Sequence, residues 1–313
     1  LENTVSTQDD LFHPVIELPE PVRQARYDRL IGLDDTKRRL RKEAILLATP
    51  DRLHTWASQH HVGADIAVLE LFADRAPLFV FAGDVGSGKS ALAESFGCDL
   101  YDHLSLPVYL YRMKLATRGS GLVGEMTSLI GDAFSHLREQ GSRAVTGGRA
   151  RSVLVLVVDE ADALVQSREA QQMHHEDRAG VDAFLAGVDS LAGGGLPIVV
   201  VLCTNRVGAL DPAVMRRAAA TFIFTRPDDQ QRHAILRAAL KGLGIRSDTI
   251  SKLVELTGPS GNQPGFTGSD LTQRLIPAAV LDAFPDQPVT GESLLTIAAE
   301  LPPSPVFAEQ GVK

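Results

Sequence analysis

The sequence predicts an α/β chain: a parallel sheet covered by helices on both faces, followed by a small domain built of helices alone. Three observations carry that prediction. Unbroken aliphatic runs at residues 78–82, 153–158 and 198–202 are what strands need when neighbouring helices bury both of their faces. Helical periods lie between these runs, as in 176–191, where Val181, Phe184, Leu185 and Val188 share one face. From residue 227 to 300 the pattern is helical only, broken by loops bearing glycine and proline such as 258–265.

Length and composition set bounds. The 313 residues suggest about two domains, on a prior of about 150 residues each. No run of 18 apolar residues occurs and the first ten residues are polar and acidic, so neither a membrane span nor a signal peptide is expected, and the cytoplasm is the expected location. Cys98 and Cys203 fit that location as two reduced thiols. A formal net charge of −8 argues against nucleic acid as a partner, because neutralising phosphates takes a basic face. The basic stretch 37–42 has the pattern of a solvated helix surface.

Taken in order, residues 1–25 form a flexible lead-in, polar and carrying Pro14, Pro19 and Pro21. An α/β domain is expected over 26–226. It begins with a helix that places Leu33, Leu40, Ile45 and Leu46 on a helical period, with Asp34 or Asp35 as N-cap and Pro50 as terminator. Residues 51–76 are expected to be helical with loops, and His54, His60 and His61 read as solvated residues rather than metal ligands.

The strand at 78–82 runs straight into Gly83-Asp84-Val85-Gly86-Ser87-Gly88-Lys89-Ser90, which fits G-x-x-x-x-G-K-[ST] at every fixed position, and a helix-forming stretch follows. Three glycines let successive N–H groups turn inward onto phosphate oxygens, and the helix start adds its positive end. Lys89 is placed for the β- and γ-phosphates of ATP and Ser90 for Mg²⁺. A strand at 107–111, a glycine-interrupted segment at 118–126, a helix through Leu137 and a polar linker over 140–151 come next.

The second strong signal is the run 153–158 ending in Asp159-Glu160. Carboxylates at the C-terminal end of a buried parallel strand fall where open α/β sheets do their ligand chemistry. Asp159 is expected to hold Mg²⁺ through water, and Glu160 to polarise the water that attacks the γ-phosphate. The strand at 198–202 leads to Cys203-Thr204-Asn205, with Asn205 placed to orient that water. Arg216 and Arg217 precede a strand at 221–225; paired arginines are ordinary surface charge unless they face a neighbour's nucleotide, where they act as arginine fingers. A helical lid domain is expected over 227–301, with helices at 228–243, 247–256, 268–284 and 292–301, and a loose, proline-rich tail over 302–313.

The order of P-loop, acid-ended strand, Asn-ended strand, arginine pair and helical lid resembles the AAA+ ATPases over about residues 26–302. That resemblance implies an AAA+ large domain with a lid, an adenine pocket lined by Ile31 and Gly32, and a pore loop at Leu122-Val123-Gly124-Glu125, with leucine where the family usually has an aromatic. Within AAA+ the chain looks most like the short bacterial pachytene-checkpoint ATPases that remodel HORMA-domain proteins. Arg217-Ala218 and Arg274-Leu275-Ile276-Pro277 are similar to motifs of that group, whereas Ser269-Asp270 follows Thr267-Gly268 where the group has a sensor-2 arginine. Arg274 reads instead as an i,i+4 partner of Asp270.

The resemblance implies a homohexamer that hydrolyses ATP with Mg²⁺ and opens a HORMA protein carrying a bound nucleotidyltransferase, and so regulates an anti-phage pathway. The rival readings are a generic unfoldase, a DNA-directed ATPase of the clamp-loader or transposition-helper type, and a nucleotide-binding scaffold that does not hydrolyse.

Overall fold

The computed structural model describes residues 11–61, 67–114, 125–162, 175–206 and 211–306. The expected segment at 118–124, which includes Leu122 and Val123, lies outside the described residues. The chain divides into two compact units. One gathers Leu1–Tyr27, Asp35–Ala82 and Ser90–Phe222; the other gathers Asp28–Asp34, Gly83–Lys89 and Ile223–Lys313. The second unit therefore takes in the P-loop and a segment near the start of the chain along with the lid sequence.

The first unit is organised on the sheet, of whose strand residues only Gly83, Ile223 and Phe224 are counted with the second. Its strands are β1 (Ile16–Leu18), β2 (Leu78–Gly83), β3 (Val108–Arg112), β6 (Val153–Val158), β7 (Ile198–Thr204) and β8 (Ala218–Phe224), with a small hairpin of β4 (Val145–Thr146) and β5 (Arg149–Ala150) beside them. The spatial order is β1-β3-β6-β7-β2-β8. Strands β3, β6, β7 and β2 run parallel, and β1 lies antiparallel to β3. Strand order reverses at β2, which has β7 on one side and β8 on the other; such a switch point is where open sheets place ligands.

Every residue of β2, β6 and β7 is buried. Even-numbered side chains (Leu78, Val80, Leu154, Leu156, Val200, Leu202) share a core with Ile130, Phe134 and Leu137 of the helix Glu125–Arg143 and with Val181, Phe184 and Val188 of the helix His175–Leu191. Odd-numbered side chains such as Phe79, Val155 and Val201 point to the opposite face and are equally buried. Strand β8, at the edge, alternates instead: Ala220, Phe222 and Phe224 are buried and Ile223 is 53% exposed. Phe222 stands edge-on to Phe79 and Phe81, with ring centroids 5.7 and 5.4 Å away.

Several expectations need correction. The lead-in is not loose from Leu11 onward, because β1 extends the sheet beyond β3 and the side chains of Leu11, Phe12 and Leu18 are buried. The linker expected over 140–151 is the last turn of the helix Glu125–Arg143 followed by the β4–β5 hairpin. The helix Asp34–Ala48 buries Leu40, Ala44, Leu47 and Ala48, so its core face lies one residue away from Ile45 and Leu46.

The second unit has its own core, in which Leu236, Leu253, Leu271, Leu275, Ala279 and Leu294 are buried and Ile31 packs against them. The helices are Asp229–Ala239, Ser247–Leu256, Ile276–Ala283 and Gly291–Glu300. The first and last start with reciprocal capping boxes, Asp228 with Gln231 and Thr290 with Ser293. Where one helix is expected over 268–284, a π-helical turn at Asp270–Leu275 precedes the α-helix. Pro277 has no N–H to give to the preceding turn, and the widened turn accommodates that loss. Residues 302–306 are not a loose tail either. Ser304 donates its N–H and hydroxyl to the two oxygens of Asp270, at 3.1 and 2.6 Å.

The two long helices over the sheet meet where Gly187 faces Phe134: a Cβ at Gly187 would lie 2.3 Å from the phenyl ring, whereas one at the exposed Gly131 would meet nothing. Gly187→Ala is therefore expected to overpack this contact and cost about 1–3 kcal/mol. Gly131→Ala, a helical site with open space, should instead gain roughly 0.5–1 kcal/mol. Urea unfolding of the two variants against the parent checks both signs.

Candidate functional site

In the second unit the P-loop leaves β2 through a corner that admits no side chain. Gly83 has φ 150°, and a Cβ there would lie 2.0 Å from the carbonyl oxygen of Phe224. Gly86, at φ 73°, faces the lid sequence: a Cβ would meet Thr267 Oγ1 and Ser269 Cβ at 2.8 Å, and its carbonyl accepts from Ser269 N at 3.0 Å. Lys89 is buried and donates through Nζ to the carbonyls of Gly83 (3.0 Å) and Asp84 (2.7 Å), so the ammonium is folded over the loop. Ser87 Oγ donates to the Asp84 carbonyl at 2.6 Å. Asp84 accepts from Val85 N through one oxygen (2.9 Å) and from Arg226 Nε through the other (2.6 Å).

Ile31 and Gly32 belong to the same unit. The Gly32 carbonyl accepts from Gln231 Nε2 at 2.7 Å, so the residue that caps the helix Asp229–Ala239 also fixes the Ile31-Gly32 backbone. Near Gly86, Asp270 is fully buried. Its carboxylate accepts from Thr267 N (2.9 Å), Arg274 Nη1 (2.6 Å) and both Ser304 donors. The Asp270–Arg274 pair expected from the sequence is thus present. Burial pushes the Asp270 carboxyl up, but the hydrogen bonds from Ser304, Thr267 and Arg274 outweigh it and bring it down to about 2.

The first unit holds the other candidates at the C-terminal ends of β6 and β7. Ser90, the residue after Lys89, donates through Oγ to Asp159 Oδ1 at 3.0 Å. A hydroxyl and a carboxylate in contact are hard oxygen donors of the type that Mg²⁺ takes, so these two residues fit that ion. The same Asp159 oxygen accepts from Glu160 N at 2.9 Å, and Glu160 is held at φ 51°, a left-handed conformation that non-glycine residues seldom adopt. Its side chain is exposed.

Asn205 is tied to this corner by groups that the sequence reading missed. Asp162 Oδ1 accepts from both Thr204 Oγ1 (2.6 Å) and Asn205 N (3.0 Å), and Ala161 N donates to Cys203 O at 3.1 Å. Asp162 thus fastens the end of β7 to the turn that carries Asp159 and Glu160. The signal in the sequence was a third acid within four residues of Asp159.

The two arginines differ sharply. Arg217 makes a bidentate ion pair with Asp189, at 2.6 and 2.8 Å, and donates to the Ala213 carbonyl at 3.3 Å. That pairing pulls the Asp189 carboxyl below its ordinary value and pushes Arg217 up. Arg216 is exposed. Both border a cavity of about 360 Å³ that Arg75 and Asp74 also line. Nothing in the sequence pointed to Asp189 as a partner, since 28 residues separate it from Arg217.

The model of the AAA family, ATPases associated with various cellular activities, matches residues 79–226. The chain is 47% identical to CD-NTase-associated protein 6 of Escherichia coli strain MS 115-1, over 98% of this chain and 99% of that protein. A chain of the E. coli MS115-1 HORMA:CdnC:Trip13 complex superposes with a TM-score of 0.90 at 47% identity, covering 97% of this chain and 99% of that one. Rhizobiales Trip13 superposes with a TM-score of 0.76 at 41% identity, covering 94% and 100%.

Asp270 gives a test of the buried network in the second unit. Its folded-state value lies below the ordinary 3.8, so the stabilisation is complete above about pH 4 and is lost as pH falls toward 2. A loss of about 2 kcal/mol across that window is expected from this group. Asp270→Asn should flatten that part of the profile and cost about 1–3 kcal/mol at neutral pH, read by urea unfolding as a function of pH.

Proposed function

This chain belongs to the AAA family of ATPases, and from that premise we propose that it hydrolyses ATP to ADP and phosphate and uses the cycle to remodel a protein partner. The observation that carries the reading is the Ser90–Asp159 contact, with Glu160 beside it in a left-handed turn. Ser90 follows Lys89 directly in the sequence.

The amides of residues 83–90 and the Lys89 ammonium bind the β- and γ-phosphates of ATP. Ser90 and Asp159 would hold Mg²⁺, which would supply charge neutralisation on the phosphates. Glu160 accepts the proton of the attacking water. Asn205, held by Asp162, orients that same water. Ile31 and Gly32, with their backbone fixed by Gln231, line the adenine pocket.

The assembly is a homohexamer in which the second half of each site comes from the neighbour. Arg216 is the group that reaches across, because Arg217 is already engaged with Asp189 on its own subunit while Arg216 is exposed. The partner is a HORMA-domain protein with its bound nucleotidyltransferase, and its opening regulates an anti-phage response in the cytoplasm. The relationship to a chain solved together with HORMA and CdnC supports that partner. Leu122 and Val123 take the role of substrate-gripping loop. Among the described residues no helix is long and apolar enough to cross a membrane.

Glu160→Gln should lower ATP turnover by roughly 10²–10⁴-fold while leaving ATP bound. The trapped protein should then capture a HORMA protein in an ATP-dependent way; normal hydrolysis by this variant, or no capture, would sink the corresponding half of the reading. Arg216→Ala should lower turnover by roughly 10³-fold. Arg217→Ala should act mainly on stability, with a lowered Tm and a smaller loss of rate. The reverse ranking in steady-state assays would assign the trans role to Arg217.

A further inference from the structure

Resting on the nucleotide-binding reading above, we infer that Arg226 is a positioning residue for the P-loop: it holds the Asp84 carboxylate and fastens the loop to the segment 302–306. Asp84 is the second residue of the motif and places a negative charge inside a loop whose task is to bind anions. One of its oxygens already takes the Val85 N–H at 2.9 Å. Left unbalanced, that charge repels the phosphates and competes with them for loop donors.

Arg226 removes the conflict. Its Nε lies 2.6 Å from the other Asp84 oxygen, and both side chains are 13% exposed, so solvent and salt screen the pair little. The remaining arms of the guanidinium reach two further segments: Nη1 donates to the Gly265 carbonyl at 2.6 Å and Nη2 to the Ser304 carbonyl at 2.8 Å. Ser304 is in turn anchored on Asp270, which Arg274 and Thr267 also hold. The planar fork is what lets one side chain serve three segments; a lysine ammonium in its place keeps the charge and loses the fixed directions. Residues 302–306 are therefore a strap on the nucleotide loop, and Arg226 is its fastening.

The test is a titration of the full chain with fluorescent ADP and Mg²⁺, reading Kd in two backgrounds. In the parent, Arg226→Gln is expected to raise Kd at least tenfold. In the Asp84→Asn background the same substitution should change Kd by less than threefold, because the charge it has to balance is gone. A purely structural role for Arg226 predicts the same factor in both backgrounds, and that result overturns the inference, as does a change under twofold in the parent. Thermal melts establish that each variant is folded. If Arg226→Gln does not fold, Arg226→Lys is compared in the same two backgrounds by the same criterion, a larger rise in Kd with Asp84 present than with it replaced. Failure of the parent chain to bind nucleotide overturns the proposed function together with this inference, whereas equal factors in a nucleotide-binding parent overturn the inference alone.

Discussion

Burial of both faces of the parallel sheet is the constraint on which the first unit depends. Strands β2, β6 and β7 expose nothing along their length, so a polar side chain in their middle would be desolvated far from the loops that could supply a partner. Their ends are where such groups are tolerated. Because the strands are parallel, the residues that follow β6 and β7 leave the sheet at one edge, and the tie from Asp162 to Thr204 and Asn205 becomes geometrically possible. The alternation seen in β8 marks the limit of this rule: at the sheet edge one face is relieved of burial, and Ile223 can lie open.

This constraint also explains what was legible in the sequence. An aliphatic run that ends in Asp159-Glu160, and another that ends in Asn205, advertise both a buried strand and the point where it surfaces, so sheet and candidate site could be read together. The lid helices were equally plain, since their loops carry glycine and proline and their caps are local; the helix Ser247–Leu256 has the bounds that its pattern suggests. Legibility stopped where the determining contact is distant in sequence. Strand β1 has only three residues and is a strand because β3 offers an open edge, which its own composition does not reveal. The Arg217–Asp189 and Arg226–Asp84 pairs join positions 28 and 142 residues apart, and neither partner stands out locally. The different settings of Arg216 and Arg217 were therefore invisible in the sequence, whereas the Arg274–Asp270 pair, four residues apart on a helix, was not.

A common device runs through these pairs. Asp84, Asp189 and Asp270 are each held by an arginine of the same unit, and in each case at least one partner is substantially withdrawn from water. Isolated surface ion pairs contribute little, but carboxylates that are shielded and supplied with several donors, as Asp84 and Asp270 are, fix geometry. Asp270 shows the strength of such a setting, because complete burial would favour its neutral form and the surrounding donors reverse that preference. In a chain with net charge −8, arginines tied to particular acids are not available as a diffuse basic surface.

The second unit follows a different logic, in which a flexible motif is held by what packs on it. A glycine-rich loop has many accessible conformations, and ordering it costs entropy that contacts within the loop cannot offset. Here the contacts come from elsewhere: the Phe224 backbone closes on Gly83, Thr267 and Ser269 close on Gly86, and Arg226 holds Asp84. Each comes from residues after 222, and two of the three come from segments that also touch Asp270 or Ser304. A change in the loop as phosphates come and go must therefore be answered by the Thr267–Ser269 turn or by the Arg226 fork, since close packing leaves no slack to absorb it. The π-helical turn at Asp270–Leu275 begins at that point, and Asp270, its first residue, ties that turn to Ser304.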